Sequence, residues 1–388
     1  MVEHFLGKEE VGSSILLNSS FFPSIYFAAE QPALGRLYYF YTPSASTLSK
    51  LRKIFLHEYM LVFLFCLAAI QGPAFSLMDN YDQSANADCQ TYMGLAKLDF
   101  DQSPVRRYRP IVPMAASVVY HTLGRAFNKL QPGSFPGDFA LAFSFLLINS
   151  ILLSIWGVLI YRFCKDYGIA TVPALIALLV MLTCRWTPYI AGTALVDSLY
   201  CIVVTLSLLA IVEKNTAFTL WAIFLGPFAK ESFIFIAPVL FFFSHMPKPK
   251  LFLYFIISGI LVFAFRYLYD HYAGFPADSG LQADLYHFSY VKGNLHKLFS
   301  FHGVYDILSN PGLWLLAPVA AFLLLPSYKT VLRQGMEWYM FFFMISILVH
   351  MLLSGYLERM FYLTMPLLCM MTGLAIDEGR KQYLALKK

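Results

Sequence analysis

The chain has 388 residues, 59% of them hydrophobic and 17% aromatic, with a mean hydropathy of +0.61. Its charged fraction of 13% is half the roughly 25% of soluble domains, which excludes a soluble globular protein and marks a polytopic membrane protein. The net charge of +5 requires no nucleic acid, because Lys and Arg gather in the cytoplasmic loops of such proteins.

Residues 1–53 fit poorly with the remainder of the chain. "VGSSILLNSS" and "YTPSASTLSK" are serine-rich and hold no sustained helical or strand period. They read either as a cytoplasmic tail or as an extension from a start codon assigned too early, and no function is assigned to them. A transmembrane domain is expected over 54–376 and a cytoplasmic tail over 377–388.

A spanning helix needs about 20 apolar residues. The first such run is Tyr59–Met78, preceded by the basic "KLRK" at 50–53. It is long for a signal-peptide core, so it predicts an anchor with its N-terminus inside. Further runs at 139–161, 169–184, 190–212, 216–229, 231–245, 251–269, 313–326, 338–355 and 360–376 bring the expectation to about ten spans. Several are short enough to require tilt or cover by neighbouring helices.

Orientation has an independent test. Counting from an inner N-terminus, the cytoplasmic loops carry Arg162 and Lys165, Lys214, Lys248 and Lys250, then Lys329 and Arg333. The tail adds Arg380, Lys381, Lys387 and Lys388. Every expected inner loop is basic, as the positive-inside rule asks. The same count puts two long polar segments outside, 79–138 and 270–312.

The outer segment 79–138 holds "SPVRRYRPIVP", three arginines in the four residues Arg106–Arg109, against the positive-inside trend. The adjoining "PIVPMAASVVYHTLG" is too short to span and ends near polar Tyr120 and His121, so it reads as an interfacial helix on the outer leaflet. Arginines at its start would lie at headgroup height. There they either snorkel or grip a particular lipid phosphate, for which the planar guanidinium is suited. The expected fold is therefore an all-α polytopic membrane protein of about ten transmembrane helices, with interfacial helices in the first external loop.

Other awkward charges fall at the same outer depth. Asp79 and Asp82 follow the first span, and Asp88 lies further into its loop. Arg185 ends the third span, and Asp197 lies at the outer start of the fourth. Lys230 and Glu231 form a turn after Gly226-Pro227, which is expected to break the helix before it. Arg266 and Asp270 end the seventh span, and Glu358 and Arg359 sit between the last two. Charges near the membrane are costly and usually face a cavity or one another. So many on one face point to an aqueous cavity opening outward. The six cysteines have no CxxC spacing and the nine histidines no HExxH, so neither a metal site nor a cofactor is expected.

With those residues in view, the chain resembles the GT-C superfamily of polytopic glycosyltransferases that use polyprenyl-phosphate sugars, in its bacterial branch. The resemblance rests on "MDNYDQSANADCQTYMGLAKLDFDQSPVRRYRPIVPMAA", with Asp88, Tyr92 and Ala96 followed by "RRYRPIVP", and on "AKE" at 229–231. It covers 54–376 in topology and only these short motifs in sequence. It departs from the group in having no large soluble C-terminal domain and no clear Asp-Glu pair in the first loop.

The resemblance implies a polyprenyl-phosphate-linked sugar donor and a glycan, lipid or protein acceptor. It also implies a site facing the periplasm from the bacterial inner membrane. Such transfer needs a base for the acceptor hydroxyl and cations for the departing phosphate. Asp88 is the expected base and Asp79 its rival. Arg106, Arg107, Arg109, Lys230 and Arg359 are the expected phosphate ligands, while Tyr92, Asp197, Asp82, Arg185, Glu231 and Glu358 are expected to position substrate. A transporter or flippase of a lipid-linked anion is the alternative, although transporters commonly show paired repeats and midplane breaks, and no repeat is present.

Overall fold

The computed structural model describes residues 45–387 apart from 105, 132–134, 136 and 277–286, with side chains from His57 onward except His287. The chain divides into Met1–Lys50 and Leu51–Lys388, and nearly all described residues belong to the second unit. The expected N-terminal tail therefore falls largely outside the described residues.

Every element is helical, and there is no strand among the described residues. The first half runs α1 (Ala45–Asn80), α2 (Ala87–Ala96), α3 (Ile111–Asn128), α4 (Phe139–Asp166), α5 (Thr171–Leu182), α6 (Trp186–Gly192), α7 (Asp197–Val212) and α8 (Thr216–Ala229). A 3-10 turn at Glu231–Phe235 leads to α9 (Ala237–Phe243) and α10 (Lys248–Ala273). The second half continues with α11 (Tyr290–Leu298), α12 (Phe301–Ser309), α13 (Leu316–Leu324), α14 (Pro326–Gly335), α15 (Trp338–Leu352), α16 (Leu357–Phe361) and α17 (Met365–Leu386).

Four stretches are long and apolar enough to cross a membrane: His57–Asn80, Phe139–Asp166, Lys248–Ala273 and Leu357–Leu386. The number rises to seven if each of three bent helix pairs is one span. The sequence runs numbered about ten, and the difference is one of length. Run 190–212 is interrupted, leaving α7 with 16 residues, and α8 has 14. Both fall below the roughly 20 needed to span. Helix α3 is not among the crossing helices. It packs its buried Val112, Ala116 and Gly124 inward against α4 and α2.

The core lies where α4, α5, α7 and α17 meet. Helix α4 buries the polar side chains of Ser144, Asn149, Ser150 and Ser154 completely. Asn149 meets the break between α6 and α7, where backbone groups lose their helical partners. Away from water each such group must find another bond. Asn149 Nδ2 donates to the carbonyls of Thr193 (3.2 Å) and Leu195 (3.0 Å). From the other side Gln83 Nε2 donates to Gly192 O at 2.9 Å, and Gln83 Oε1 accepts Ala194 N–H at 2.9 Å. A Cβ at Gly192 would meet the Ala74 carbonyl, so only glycine lets this break sit against α1. These clamps fix the residue that begins α7, Asp197.

Pro227, expected to end its helix, lies inside α8, which continues to Ala229. Proline cannot donate to the carbonyl four residues back, here Ile223. Ser258 Oγ of α10 donates to that carbonyl at 2.8 Å instead. The freed acceptor thus becomes the attachment point of α10, which is otherwise little buried. The turn comes one step later, where Gly226 lies under the Phe233 ring and leaves Lys230 in extended backbone.

Candidate functional site: a buried ion cluster

Asn86 caps α2 by accepting Asp88 N–H at 2.8 Å, which places Asp88 in the first turn. One α-helical turn on, Tyr92 shares its face. The loop 97–110 returns over this face and delivers the arginines. Arg106 pairs with Asp88 Oδ1. Arg109 grips Glu231 with both a Nε (2.8 Å) and a Nη bond, a fork geometry that favours arginine over lysine. Its remaining Nη donates to Tyr92 OH at 2.8 Å.

Helix α16 brings Arg359. Its Nη1 donates to Asp88 Oδ2 at 2.8 Å, and its Nη2 pairs with Asp197 Oδ2. Lys230 Nζ reaches the other Asp197 oxygen at 3.2 Å. A continuous chain of ion pairs therefore runs Arg106–Asp88–Arg359–Asp197–Lys230, and beside it Arg109 pairs with Glu231, the residue next to Lys230 in sequence. Five segments far apart in sequence contribute: α2, the loop before α3, the start of α7, the turn after α8, and α16.

Two properties of this cluster matter chemically. First, four cations (Arg106, Arg109, Lys230, Arg359) face three carboxylates (Asp88, Asp197, Glu231), leaving one positive charge in surplus. Second, Arg359 is 7% exposed and its Nε is buried without a hydrogen-bond partner. A surplus cation and a spare buried N–H would both be satisfied by an anion.

Burial by itself would raise the Asp88 carboxyl, but Arg359 and Arg106 outweigh it and hold the group down at about 2. Asp88 is therefore ionised at any physiological pH. Burial pushes the Tyr92 phenol up, opposed by Arg109, so Tyr92 is neutral and acts as a hydrogen-bonding group.

The remaining expected residues fall elsewhere. Arg107 is 1% exposed and pairs with Asp270 at 2.7 Å. Its guanidinium lies 3.8 Å from the Phe275 ring centre, and Tyr108 OH donates to the same carboxylate. It pins the loop before α3 to the end of α10, away from the chain of pairs around Asp88. Arg185 approaches Glu358 at 3.7 Å on the rim and is half-exposed. Asp79 makes no ion pair among the described residues. Asp82 is exposed and spends its carboxylate on Ser84, which lowers its pKa. It lines an open cleft of about 470 Å³ with Gln90, Gly94, Lys97 and Asp138. That cleft lies across α2 from Asp88, since positions 90, 94 and 97 occupy the opposite helical face from 88 and 92.

Sequence reasoning missed Tyr108, although it sits between the arginines, and it missed Asn149 and Gln83, whose amides hold Asp197's helix start. Nothing local marks such amides, because their partners lie over 40 residues away. Among the described residues no group of three His, Cys, Asp or Glu could hold a metal ion, and all six cysteines are buried and free. No protein-family model matches this chain, and no curated protein or solved structure matches it either.

Proposed function

We propose that this chain is a membrane glycosyltransferase of the GT-C kind. On this reading it takes a sugar from a polyprenyl-phosphate donor and passes it to an acceptor hydroxyl at the periplasmic face of a bacterial inner membrane. The observation that carries the reading is the cluster itself, a buried set with one surplus positive charge, an unpaired Arg359 Nε and an ionised carboxylate. In this reading α7, α8 and the 231–243 segment complete the ten-run topology as partial crossings.

The acceptor oxygen forms its bond to the anomeric carbon as the bond from that carbon to the phosphate oxygen breaks. The departing electron pair stays on the lipid phosphate. Arg359 Nε, Lys230 and Arg106 offset that charge, which is the largest kind of catalytic contribution in such sites. The acceptor proton passes to Asp88. Both Asp88 oxygens are taken by guanidiniums at rest, so one must yield. Arg106 is the mobile partner, being 27% exposed against 7% for Arg359, and in moving from Asp88 to the phosphate it frees the base as the leaving group needs a cation. Tyr92, Asp197 and Glu231 hold the cations in place.

The test is purified protein in lipid nanodiscs with labelled polyprenyl-phosphate sugars and a panel of glycan and lipid acceptors. The expected result is release of polyprenyl phosphate matched by labelled acceptor. Vesicles that instead move the intact lipid-linked sugar across the bilayer, with no polyprenyl phosphate released, would replace the enzyme by a transporter.

A further inference from the structure

Residues 270–312 read in sequence as a polar external loop. The described part is instead a compact amphipathic hairpin. Ser300 ends the turn between α11 and α12, donating to Lys297 O at 2.8 Å and accepting Gly303 N–H at 3.0 Å. A Cβ at Gly303 would strike the Lys297 carbonyl, so the two helices meet at a tight corner.

The hairpin has two unlike sides. On the inner side, buried Asn294 donates to the carbonyls of Met351 (3.1 Å), Leu352 (3.0 Å) and Ser354, the unpaired acceptors at the end of α15. Asn310 donates to Glu358 O at 2.6 Å, next to Arg359. The outer side carries Leu295, Phe299, Phe301, Val304, Tyr305 and Leu308, with Phe299 and Phe301 81% and 90% exposed. An aromatic and aliphatic face of this size is costly in water. Lys292, His296, Lys297 and His302 flank it, against a single acid, Asp306. Helix α12 turns by 91° into the apolar segment Gly312–Leu324, so when that segment enters the bilayer α12 lies along the membrane plane.

We propose that the α11–α12 hairpin is seated in the bilayer leaflet on the side of the ion cluster. Its aromatic face occupies the upper acyl region, and Lys292 and Lys297 contact the phosphates of anionic lipids. An in-plane amphipathic helix with basic flanks and an apolar face fits that surface, and the charge excess selects an anionic lipid over a neutral one. Because Asn294 and Asn310 tie the hairpin to the α15–α16 turn, its depth in the leaflet sets the height of Arg359. The inference does not depend on what chemistry the cluster performs.

Spin labels at Phe301→Cys and Tyr305→Cys, one at a time, test the seating in the full chain, since the native cysteines are all buried. The protein is reconstituted in vesicles containing phosphatidylglycerol or phosphatidylcholine alone, with Asp101→Cys as the aqueous control. Expected is a several-fold excess of oxygen over nickel-chelate collisions at 301 and 305, and the reverse at 101. Free access of the nickel chelate at 301 and 305 would overturn the proposal by placing the hairpin in water. Exclusion of both reagents would overturn it by showing a protein cover. The headgroup contact predicts deeper seating with phosphatidylglycerol, lost in Lys292→Gln/Lys297→Gln, and equal depth in both vesicles would overturn that contact.

Discussion

Replacing Asp88 by Asn separates a base from a structural carboxylate. Asparagine keeps the size and can still accept from Arg359 Nη1, which lies 2.8 Å from Oδ2. Arg359 also keeps Asp197, and Arg106 is part-exposed, so no cation is left buried and alone. The structural cost is therefore expected at about 1–3 kcal/mol, below the 3–5 kcal/mol typical when a buried pair loses its only partner. The chemical cost is larger. A positioned base contributes about a hundredfold to ten-thousandfold, or roughly 3–5 kcal/mol of barrier. The cluster's surplus meanwhile grows from one positive charge to two, so an anionic donor should bind at least as tightly as before. The expected pattern in single-turnover sugar transfer is kcat down by at least about a hundredfold, with donor Kd unchanged or lower. Wild-type turnover would remove the base role from Asp88. Parallel loss of donor binding would show that Asp88 only holds the cluster together.

Three further outcomes are expected from the same geometry. Arg107→Met should destabilise the protein by about 3–5 kcal/mol by leaving the buried Asp270 charge without its cation and with only the neutral Tyr108 OH as partner among the described residues, while Arg107→Met/Asp270→Leu recovers much of that loss; donor affinity per folded molecule stays constant, as thermal unfolding in detergent and equilibrium binding will check. Because Asp88 is held at about 2, below an ordinary carboxyl, it stays ionised as pH falls and loses its charge only near that value. The kcat/KM profile, which reports the free protein, should thus show no acid limb from Asp88 above about pH 3, and Arg106→Gln, which removes one of the two cations paired with Asp88, should move that limb upward. In intact cells an impermeant thiol reagent should label Leu130→Cys and spare Lys250→Cys, and the opposite pattern would invert the proposed topology.

The charges were individually legible in sequence, and the structure gathers Asp88, Arg106, Arg109, Asp197, Lys230, Glu231 and Arg359 into one cluster with Tyr92. Arg107 stood beside Arg106 in the same motif but leaves for Asp270. The reason is the loop path: consecutive side chains diverge, and which one meets α10 depends on where that helix ends. Asp79 and Asp82 were equally plausible acids by position. They stay out because Asp88 alone faces the returning arginines from a capped first turn.

Composition and apolar run length determined by themselves that this is a helical protein of the membrane, since hydrophobicity and the cost of bare backbone in lipid act on each segment separately. They also determined the unequal distribution of charge between the loops, which is a property of the chain alone. Only the tertiary structure decided how many helices are long enough to cross, because the break at 193–196 exists only where Asn149 and Gln83 come from elsewhere to support it. It alone decided which carboxylate meets which cation, because an ion pair is a matter of a few ångströms between groups that lie up to 271 residues apart.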